Sequence, residues 1–242
     1  MKVIDVSKHN GPYIDWNKVK ASGVDGVIIR AGYGRHISQK DKYFEQNYKG
    51  AAAAGLHVGS YWYSYADNPA DAKVEASVFL EAIKGKKFDL PVYFDIEEPK
   101  HAKMNKTVCT AMCEAFCSMM EGAGYFCGVY SYDAFFTNNL HDVITLKYSQ
   151  WVARIGGKPK NKNDMWQFSW TGQVGGIDGK VDMNECYVDF PKIIKNSKLN
   201  GYQDTAKYRI EAVKEGMTST EADLLARDAS ELGMTVIKVK EG

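Results

Sequence analysis

Two carboxyl groups at the end of an apolar strand are the residues of this chain best placed to do chemistry. Residues 90–99 form the segment LPVYFDIEEP, in which Val, Tyr, Phe and Ile between two prolines predict a buried β-strand. Side chains alternate along a strand, so Asp95 and Glu97 point to one face, with Tyr93 below them. Two like charges this close on a partly desolvated face raise the pKa of at least one group. An acid beside an ionised partner is what general acid catalysis on a glycosidic or acyl bond requires.

A lone D-x-E pair can also lie at a strand end that simply enters solvent. The surrounding elements are therefore needed to decide whether these acids are catalytic. Strand patterns occur at residues 2–7, 25–34, 57–65 and 126–132, and helical patterns at residues 14–23, 41–55, 69–85, 107–122 and 133–140. This alternation predicts a parallel sheet built from βαβ units. Asp5, near the end of the first strand, repeats the design of Asp95.

The spacing changes after residue 148. Three more strands are predicted at residues 148–154, 165–170 and 180–184, separated by links that are rich in Gly, Lys and Asn and have no helical period. A parallel crossover needs about a dozen residues or more, usually with a helix, so we expect these strands to depart from parallel order. Eight strands predict an irregular barrel in which the last strand lies beside the first. Asp182 would then join Asp5, Asp95 and Glu97 at the end of the barrel where active sites lie.

Composition excludes several classes of protein. The chain has 242 residues, 45% of them hydrophobic, which is enough for one large domain and a small appendage. No apolar run approaches the about 18 residues of a membrane span. A formal net charge of +1 argues against a nucleic-acid or membrane partner held by charge. The first residues show no signal-peptide pattern, so we expect the protein to stay in the cytoplasm unless something else releases it.

The cysteines and histidines do not point to a metal. Five cysteines without a signal peptide predict reduced thiols. Cys109, Cys113 and Cys117 share one face of a helix, where a metal could be imagined, but apolar neighbours complete that face and predict a packed core instead. The histidines show no paired ligand spacing. We therefore expect no metal and no other cofactor, which disfavours a metal-dependent deacetylase.

Seven short motifs, taken in order, resemble a known family. They are Asp5-Val6-Ser7, Ile14-Asp15-Trp16, Arg30-Ala31-Gly32, Gly59-Ser60-Tyr61-Trp62-Tyr63, Asp95-Ile96-Glu97, Trp166-Gln167 and Val181-Asp182-Met183-Asn184. Each motif is weak alone, but the ordered set resembles the glycoside hydrolase family 25 lysozymes, or Chalaropsis-type muramidases, which are common as bacteriophage endolysins. The resemblance covers about residues 1–195.

The resemblance implies an α/β fold, an irregular TIM-like (β/α)5β3 barrel. It implies hydrolysis of the β-1,4 bond between N-acetylmuramic acid and N-acetylglucosamine in bacterial peptidoglycan, by a protein held in the host cytoplasm until it is released to the cell wall. Glu97 would be the general acid and Asp95 its partner, while Asp5 and Asp182 would shape the acid's environment and the sugar site. Aromatic character and position at strand ends add weaker candidates for sugar stacking: Tyr33, Tyr61, Tyr63, Tyr130 and Trp166. Glu98 should face away from Glu97 and have a minor role.

The mechanism stays open at this point. Retaining enzymes hold their two carboxyl groups about 5–5.5 Å apart, and inverting enzymes hold them about 6.5–9.5 Å apart. The Cβ atoms of strand residues i and i+2 are roughly 6.5–7 Å apart, and this spacing does not decide between the two mechanisms. The D-x-E pair also resembles substrate-assisted hydrolases, in which the 2-acetamido oxygen of the sugar attacks C1. Muramic acid carries this group, so we favour that route, with retention. The alternatives are a chitinase-like hydrolase with the same pair and a non-catalytic cell-wall binding barrel.

The C-terminal part of the chain predicts a separate unit. Residues 196–207 predict a polar linker, and residues 208–242 a small βαβ module with a capping box at residues 218–221. This module weakly resembles half of a ferredoxin-like or SPOR-type unit. It is too small to be stable alone, has open sheet edges and contains no Cys or His. We therefore expect residues 203–242 to mediate a homodimer that also presents a wall-binding surface, the alternative being an extension packed on the barrel.

Overall fold

The computed structural model describes residues 1–202 and 218–231. The chain divides into two compact units, Met1–Asp204 and Thr205–Gly242. In the first unit, the strands described are β1 (Lys2–Val6), β2 (Gly26–Tyr33), β3 (His57–Tyr63), β4 (Val92–Asp95), β5 (Cys127–Tyr132), β6 (Ser149–Ala153), β7 (Met165–Gly172) and β8 (Val181–Cys186). They form a closed barrel in chain order.

Helices follow the first five strands. The α-helices of this unit are α1 (Trp16–Ala21), α2 (Phe44–Ala53), α3 (Pro69–Ile83), α4 (Lys106–Gly122), α5 (Asp133–Asn139), α6 (Asp142–Lys147) and α7 (Phe190–Asn196), with short 3-10 helices at Lys8–Asn10, Ile37–Gln39 and His101–Lys103. The expected (β/α)5β3 order is confirmed, but α6 was not expected. None of the helices in the described ranges is long and apolar enough to cross a membrane.

The last strands depart from parallel order only in part. β8 runs antiparallel to both β7 and β1, as the short links predict. β7, however, pairs parallel to β6, so that part of the prediction is wrong. The link over residues 154–164 makes this crossover without a helix, and the backbone N–H groups of Lys160 and Asn161 within it donate to the side chain of Asp133.

The two faces of the barrel strands pack into different cores. Tyr93 points into the barrel and contacts Trp151 from β6, with ring centroids 5.2 Å apart. Phe94 points outward and stacks on Phe116 of α4 at 4.3 Å. Gly128 of β5 leaves room for the inner ring, because a Cβ atom there would lie 2.6 Å from Tyr93. Alternation along β4 therefore directs Asp95 inward, as the sequence predicts.

The cysteines of α4 lie in the outer core. Cys109, Cys113 and Cys117 are fully buried between the helix and the barrel. Burial raises the pKa of the Cys113 and Cys117 thiols well above the ordinary range, so both are neutral. Their predicted role as small apolar residues is confirmed.

The barrel unit extends past the predicted start of the linker. Asn200 is fully buried; its Nδ2 donates to the carbonyl of Leu90 at 3.0 Å, and its Oδ1 accepts from the backbone N–H of Phe126 at 2.6 Å. The hydroxyl of Tyr202 donates to Asp89 at 2.9 Å. Residues 199–202 are therefore packed on the barrel, and this part of the linker prediction is wrong because the buried amide of Asn200 joins the segments that lead into β4 and β5.

The second unit contains α8 (Ser219–Glu231). The predicted capping box is present: the backbone N–H of Glu221 donates to Thr218 Oγ1 at 3.4 Å, and the Glu221 carboxylate accepts from the Thr218 N–H at 2.9 Å. The two strands predicted at residues 208–213 and 234–240 lie outside the described residues.

Candidate active site

A pocket of about 320 Å³ opens at the carboxyl ends of the parallel strands. Its lining contains four acids: Asp5, Asp95, Glu97 and Asp182. The structure therefore brings together all four carboxyl groups that the sequence singled out. The other lining side chains include Tyr61, Tyr63, His9, Asn10, Arg30 and Lys180.

Strand register places the acids. Asp5 on β1 lies directly opposite Asp182 on the antiparallel strand β8. Asp95 is the last residue of β4 and pairs with Tyr130 on β5. The backbone N–H of Ile96 still donates to the Tyr130 carbonyl at 3.0 Å, which extends the strand direction by one residue. Glu97 therefore faces the same pocket as Asp95.

Two side-chain amides hold Asp5. Asn184 Nδ2 donates to Asp5 Oδ2 at 2.8 Å, and Gln167 Nε2 donates to the same oxygen at 3.0 Å. Trp151 Nε1 donates to Asn184 Oδ1 at 2.7 Å, which fixes the orientation of that amide. Burial and the charge of Asp182 raise the pKa of Asp5 to about 8, although both amides lower it. Asp5 therefore carries a proton at neutral pH.

Asp182 shares this proton with Asp5. Burial raises the pKa of Asp182 above its ordinary value, and the hydrogen bond from Asp5 acts in the opposite direction. The two acids titrate as a pair, because the ionisation of one changes the free energy of ionising the other. The pair thus keeps one negative charge in the pocket.

Asp95 is the most deeply buried acid of the pocket, with 3% of its surface exposed. Burial and the charges of Glu97 and Asp5 raise its pKa well above the usual range, and Arg30 lowers it. Arg30 is engaged with Asp41, whose Oδ2 accepts from Nε at 2.8 Å. Among the described residues, Asp95 Oδ1 is buried without a hydrogen-bond partner. Such an atom costs about 1–3 kcal/mol, which a ligand N–H would relieve.

Glu97 has the pKa that a general acid needs. Burial raises the pKa of Glu97 to about 7; a hydrogen bond from Tyr130 lowers it, and the charges of Asp182 and Glu98 raise it. At neutral pH the group can both hold and release a proton. Glu98 instead accepts from the Tyr63 hydroxyl at 2.8 Å and is not among the lining residues described, which agrees with its expected position.

The aromatic candidates divide into two groups. Tyr61 and Tyr63 line the pocket, where their rings can contact a sugar. Tyr130 is buried and therefore offers no open face on which a sugar could stack. Its hydroxyl lies 2.8 Å from Gln167 Oε1, and a hydrogen bond from the same hydroxyl lowers the pKa of Glu97.

The two remaining candidates lie outside the pocket lining. Tyr33 packs edge-on against Tyr65, with ring centroids 5.9 Å apart. Trp166 packs against Phe168 and donates its indole N–H to the Arg154 carbonyl at 2.8 Å. Neither ring is among the pocket-lining residues described, although Tyr33 on β2 pairs with the pocket residue Tyr63 on β3.

Several polar residues of the site received no role from the sequence, among them Asn184, Arg30 and Gln167. Asn184 follows Asp182 by two positions on β8 and so shares its face; Arg30 follows the inward-pointing Ile28 by two positions on β2. The alternation of side chains along a strand could therefore have predicted that both residues face the site. Gln167 could have been found only from the β7–β8 register, which pairs it with Asn184.

Acid–base chemistry is what these side chains can carry out. Within the described part of the chain, no group of three or more His, Cys, Asp or Glu side chains could hold a metal ion. Carboxyl groups with separated environments at the carboxyl ends of barrel strands are the arrangement that glycosidases use.

The chain belongs to the glycosyl hydrolases family 25, whose sequence model matches residues 4–177. Asp182 lies beyond this match and is placed by its register with Asp5. The chain is 30% identical to the autolytic lysozyme of Clostridium acetobutylicum over 188 residues, which cover 76% of this chain and 55% of that protein. This chain therefore spans little more than half the length of that relative.

Solved structures support the same family. The CTP1L endolysin is 31% identical with a TM-score of 0.69, over 81% of this chain and 69% of that one. The modular autolysin LytC from Streptococcus pneumoniae, solved with a synthetic peptidoglycan ligand, is 32% identical with a TM-score of 0.68, over 76% of this chain and 46% of that one.

Proposed function

We propose that this protein is a muramidase that cleaves the β-1,4 bond between N-acetylmuramic acid and N-acetylglucosamine in bacterial peptidoglycan. The observation that carries this proposal is a protonatable Glu97, with a pKa of about 7, in one pocket with the buried Asp95. Membership of family 25 and similarity to proteins named lysozyme and endolysin support it.

Glu97 is the general acid in this proposal. Its proton passes to the glycosidic oxygen as the bond from that oxygen to C1 breaks, so the leaving N-acetylglucosamine departs as an alcohol. The resulting carboxylate then takes a proton from the water that attacks C1. A pKa near neutrality suits both steps, because the same group must give up and regain a proton.

Asp95 orients the 2-acetamido group of the muramic acid. The acetamido oxygen attacks C1 and forms an oxazolinium ring, while the acetamido N–H donates to Asp95. The unpartnered Asp95 Oδ1 supports this role, because it is a buried acceptor at the pocket. The positive charge that develops on the ring favours the ionised form of Asp95 despite its raised pKa.

Asp5 and Asp182 act as one electrostatic unit. Their single negative charge helps to hold the proton on Glu97, because the charge of Asp182 raises the pKa of that acid. The same charge lies where it can favour a cationic transition state.

Glu97→Gln tests the acid. The substitution keeps the shape of the side chain and removes its proton, so the lysis rate should fall by the roughly 10²–10⁴-fold typical of general acid–base catalysis. Glu98→Gln is the matched control and should retain activity, because Glu98 bonds to Tyr63 instead. Wild-type lysis rates in Glu97→Gln, or new reducing ends that are N-acetylglucosamine as a chitinase-like specificity requires, would contradict the proposal.

Asp95→Asn tests the substrate-assisted route. The variant should fold and bind substrate but turn over slowly, because Asn cannot balance the charge of an oxazolinium ion. Proton NMR of the first product of the wild-type enzyme should show the β-anomer. An initial α-anomer would indicate direct attack by water and exclude the acetamido route.

A further inference from the structure

A second groove lies at the same end of the barrel, beside the acid pocket. Its volume is about 530 Å³, and its lining comes from the ends of β5, β6 and β7, whereas the acids come from β1, β4 and β8. Gln167 connects the two sites: its Oε1 accepts from Trp170 Nε1 at 3.1 Å, while its Nε2 donates to Asp5. A polymer that leaves the acid pocket on this side meets the groove.

The floor and one wall of the groove are apolar. Trp170 is 57% exposed and Ile155 is 44% exposed, and the small side chains of Ala134 and Ala153 complete the surface. Large apolar side chains exposed around a concave surface indicate a binding site.

One lysine lines the groove, and two more lie on the same link. Lys158, Lys160 and Lys162 are exposed on the link between β6 and β7, and the Lys160 side chain lines the groove. The acid beside them is already engaged: Asp133 Oδ2 accepts from Arg154 Nη1 at 2.5 Å. Because Lys160 is exposed and lines the groove, an anion bound there can reach its charge.

Hydrogen bonds to Asp133 hold the loop that lines the groove. The backbone N–H groups of Lys160 and Asn161 each donate to its carboxylate, at 3.0–3.1 Å. Although burial raises its pKa, these bonds and Arg154 lower the pKa of Asp133 to about 2, so the carboxylate stays ionised. A preformed loop spends less entropy on binding than one that must be ordered.

We propose that this groove binds the stem peptide of peptidoglycan. Stem peptides begin with a small alanine and continue with a glutamate that has a free carboxylate, which matches an apolar surface beside Lys160. A neutral sugar would match the indole of Trp170 but gain nothing from the charge of Lys160. This inference rests on the proposed function, because it concerns the same substrate at the neighbouring site.

Two forms of one substrate test the inference. The first is peptidoglycan with its stem peptides, and the second is the same glycan after an amidase has removed them, which leaves a free lactyl carboxylate on each muramic acid. A loss that persists on the second substrate therefore reports contact with the sugar or its lactyl group rather than with the peptide. Lys160→Glu reverses a rim charge and Ile155→Ser removes apolar surface, and neither residue contacts the acid cluster. Lys192→Glu, an exposed charge reversal on α7, is the matched control.

The measured quantity is kcat/KM from the release of reducing ends. We expect Lys160→Glu and Ile155→Ser to lose about three- to tenfold on the peptide-bearing substrate and less than about twofold on the stripped glycan. The control should match the wild type on both. Circular dichroism melting curves of the variants confirm that each is folded.

The outcomes separate the two proposals. Equal losses on both substrates would show a sugar subsite and overturn the inference, as would no loss on either, while the muramidase proposal would stand. A wild-type protein that cleaves neither substrate would overturn the proposed function and this inference with it.

Discussion

The hydroxyl of Tyr130 contributes to the pKa of Glu97, and so to the pH at which Glu97 loses its proton. Its hydrogen bond lowers the pKa of Glu97, against burial and the charges of Asp182 and Glu98, and the balance is about 7. Tyr130→Phe removes this donor and leaves the buried ring in place. The pKa of Glu97 should therefore rise.

The size of the rise follows from the contacts of the hydroxyl. A hydrogen bond to a charged group is worth about 1.5–3 kcal/mol, and 1.36 kcal/mol corresponds to one pKa unit. Because Gln167 Oε1 lies 2.8 Å from the same hydroxyl, one proton serves two acceptors, which places the effect at the lower end. We expect an upward shift of about one pKa unit.

The assay is the dependence of kcat/KM on pH, measured with soluble peptidoglycan fragments from about pH 5 to about pH 9. The wild-type rate should fall as the pH rises through about 7, because the general acid loses its proton. In Tyr130→Phe this alkaline limb should move about one unit higher, even if the maximal rate falls. Tyr61→Phe is the matched control: it removes a hydroxyl from the same pocket without removing a bond to Glu97.

A limb that stays in place or moves to lower pH in an active Tyr130→Phe enzyme would refute this reasoning. An equal shift in Tyr61→Phe would also refute it, because the effect would then come from general changes in the pocket rather than from one hydrogen bond.

Two further predictions concern the link between β6 and β7 and the C-terminal unit. Asp133→Asn should lower the free energy of unfolding by about 1–3 kcal/mol at neutral pH. Because the pKa of Asp133 is lowered by folding to about 2, its contribution is complete above the unfolded value near 4 and is lost as the pH falls towards 2, so melting curves of variant and wild type should converge in acid. An equal difference at all pH values would contradict this account. Residues 203–242 should mediate a homodimer, which light scattering of the full chain and of a chain ending at Asp204 can measure; this end point keeps the buried Asn200. A monomeric full chain at micromolar concentration would instead favour a packed extension.

Local pattern was enough to predict much of the barrel. The strands and most helices follow from apolar periodicity, which depends only on neighbours in the chain. Alternation along β4 likewise placed Asp95 and Glu97 on one face, and the structure puts both in one pocket. The parallel pairing of β6 with β7 could not be predicted in this way, because the link between them has no helical pattern and its hydrogen bonds go to Asp133, which lies on an earlier element.

The end of the barrel unit shows the same limit. Polar composition after residue 196 predicted a linker, since nothing local distinguishes a buried asparagine from an exposed one. Asn200 is buried because Leu90 and Phe126, both distant in the chain, present a carbonyl and an N–H that its amide satisfies.

The sequence by itself determined which acids this protein has, and on which strands they lie. Their protonation was decided only by the tertiary structure. The pKa of Asp5 is raised because barrel closure buries it and puts it opposite Asp182, while the amides of Gln167 and Asn184, also far away in the chain, lower it in part. A pKa depends on burial and on neighbouring charges in space, and spacing along the chain specifies neither until the barrel closes.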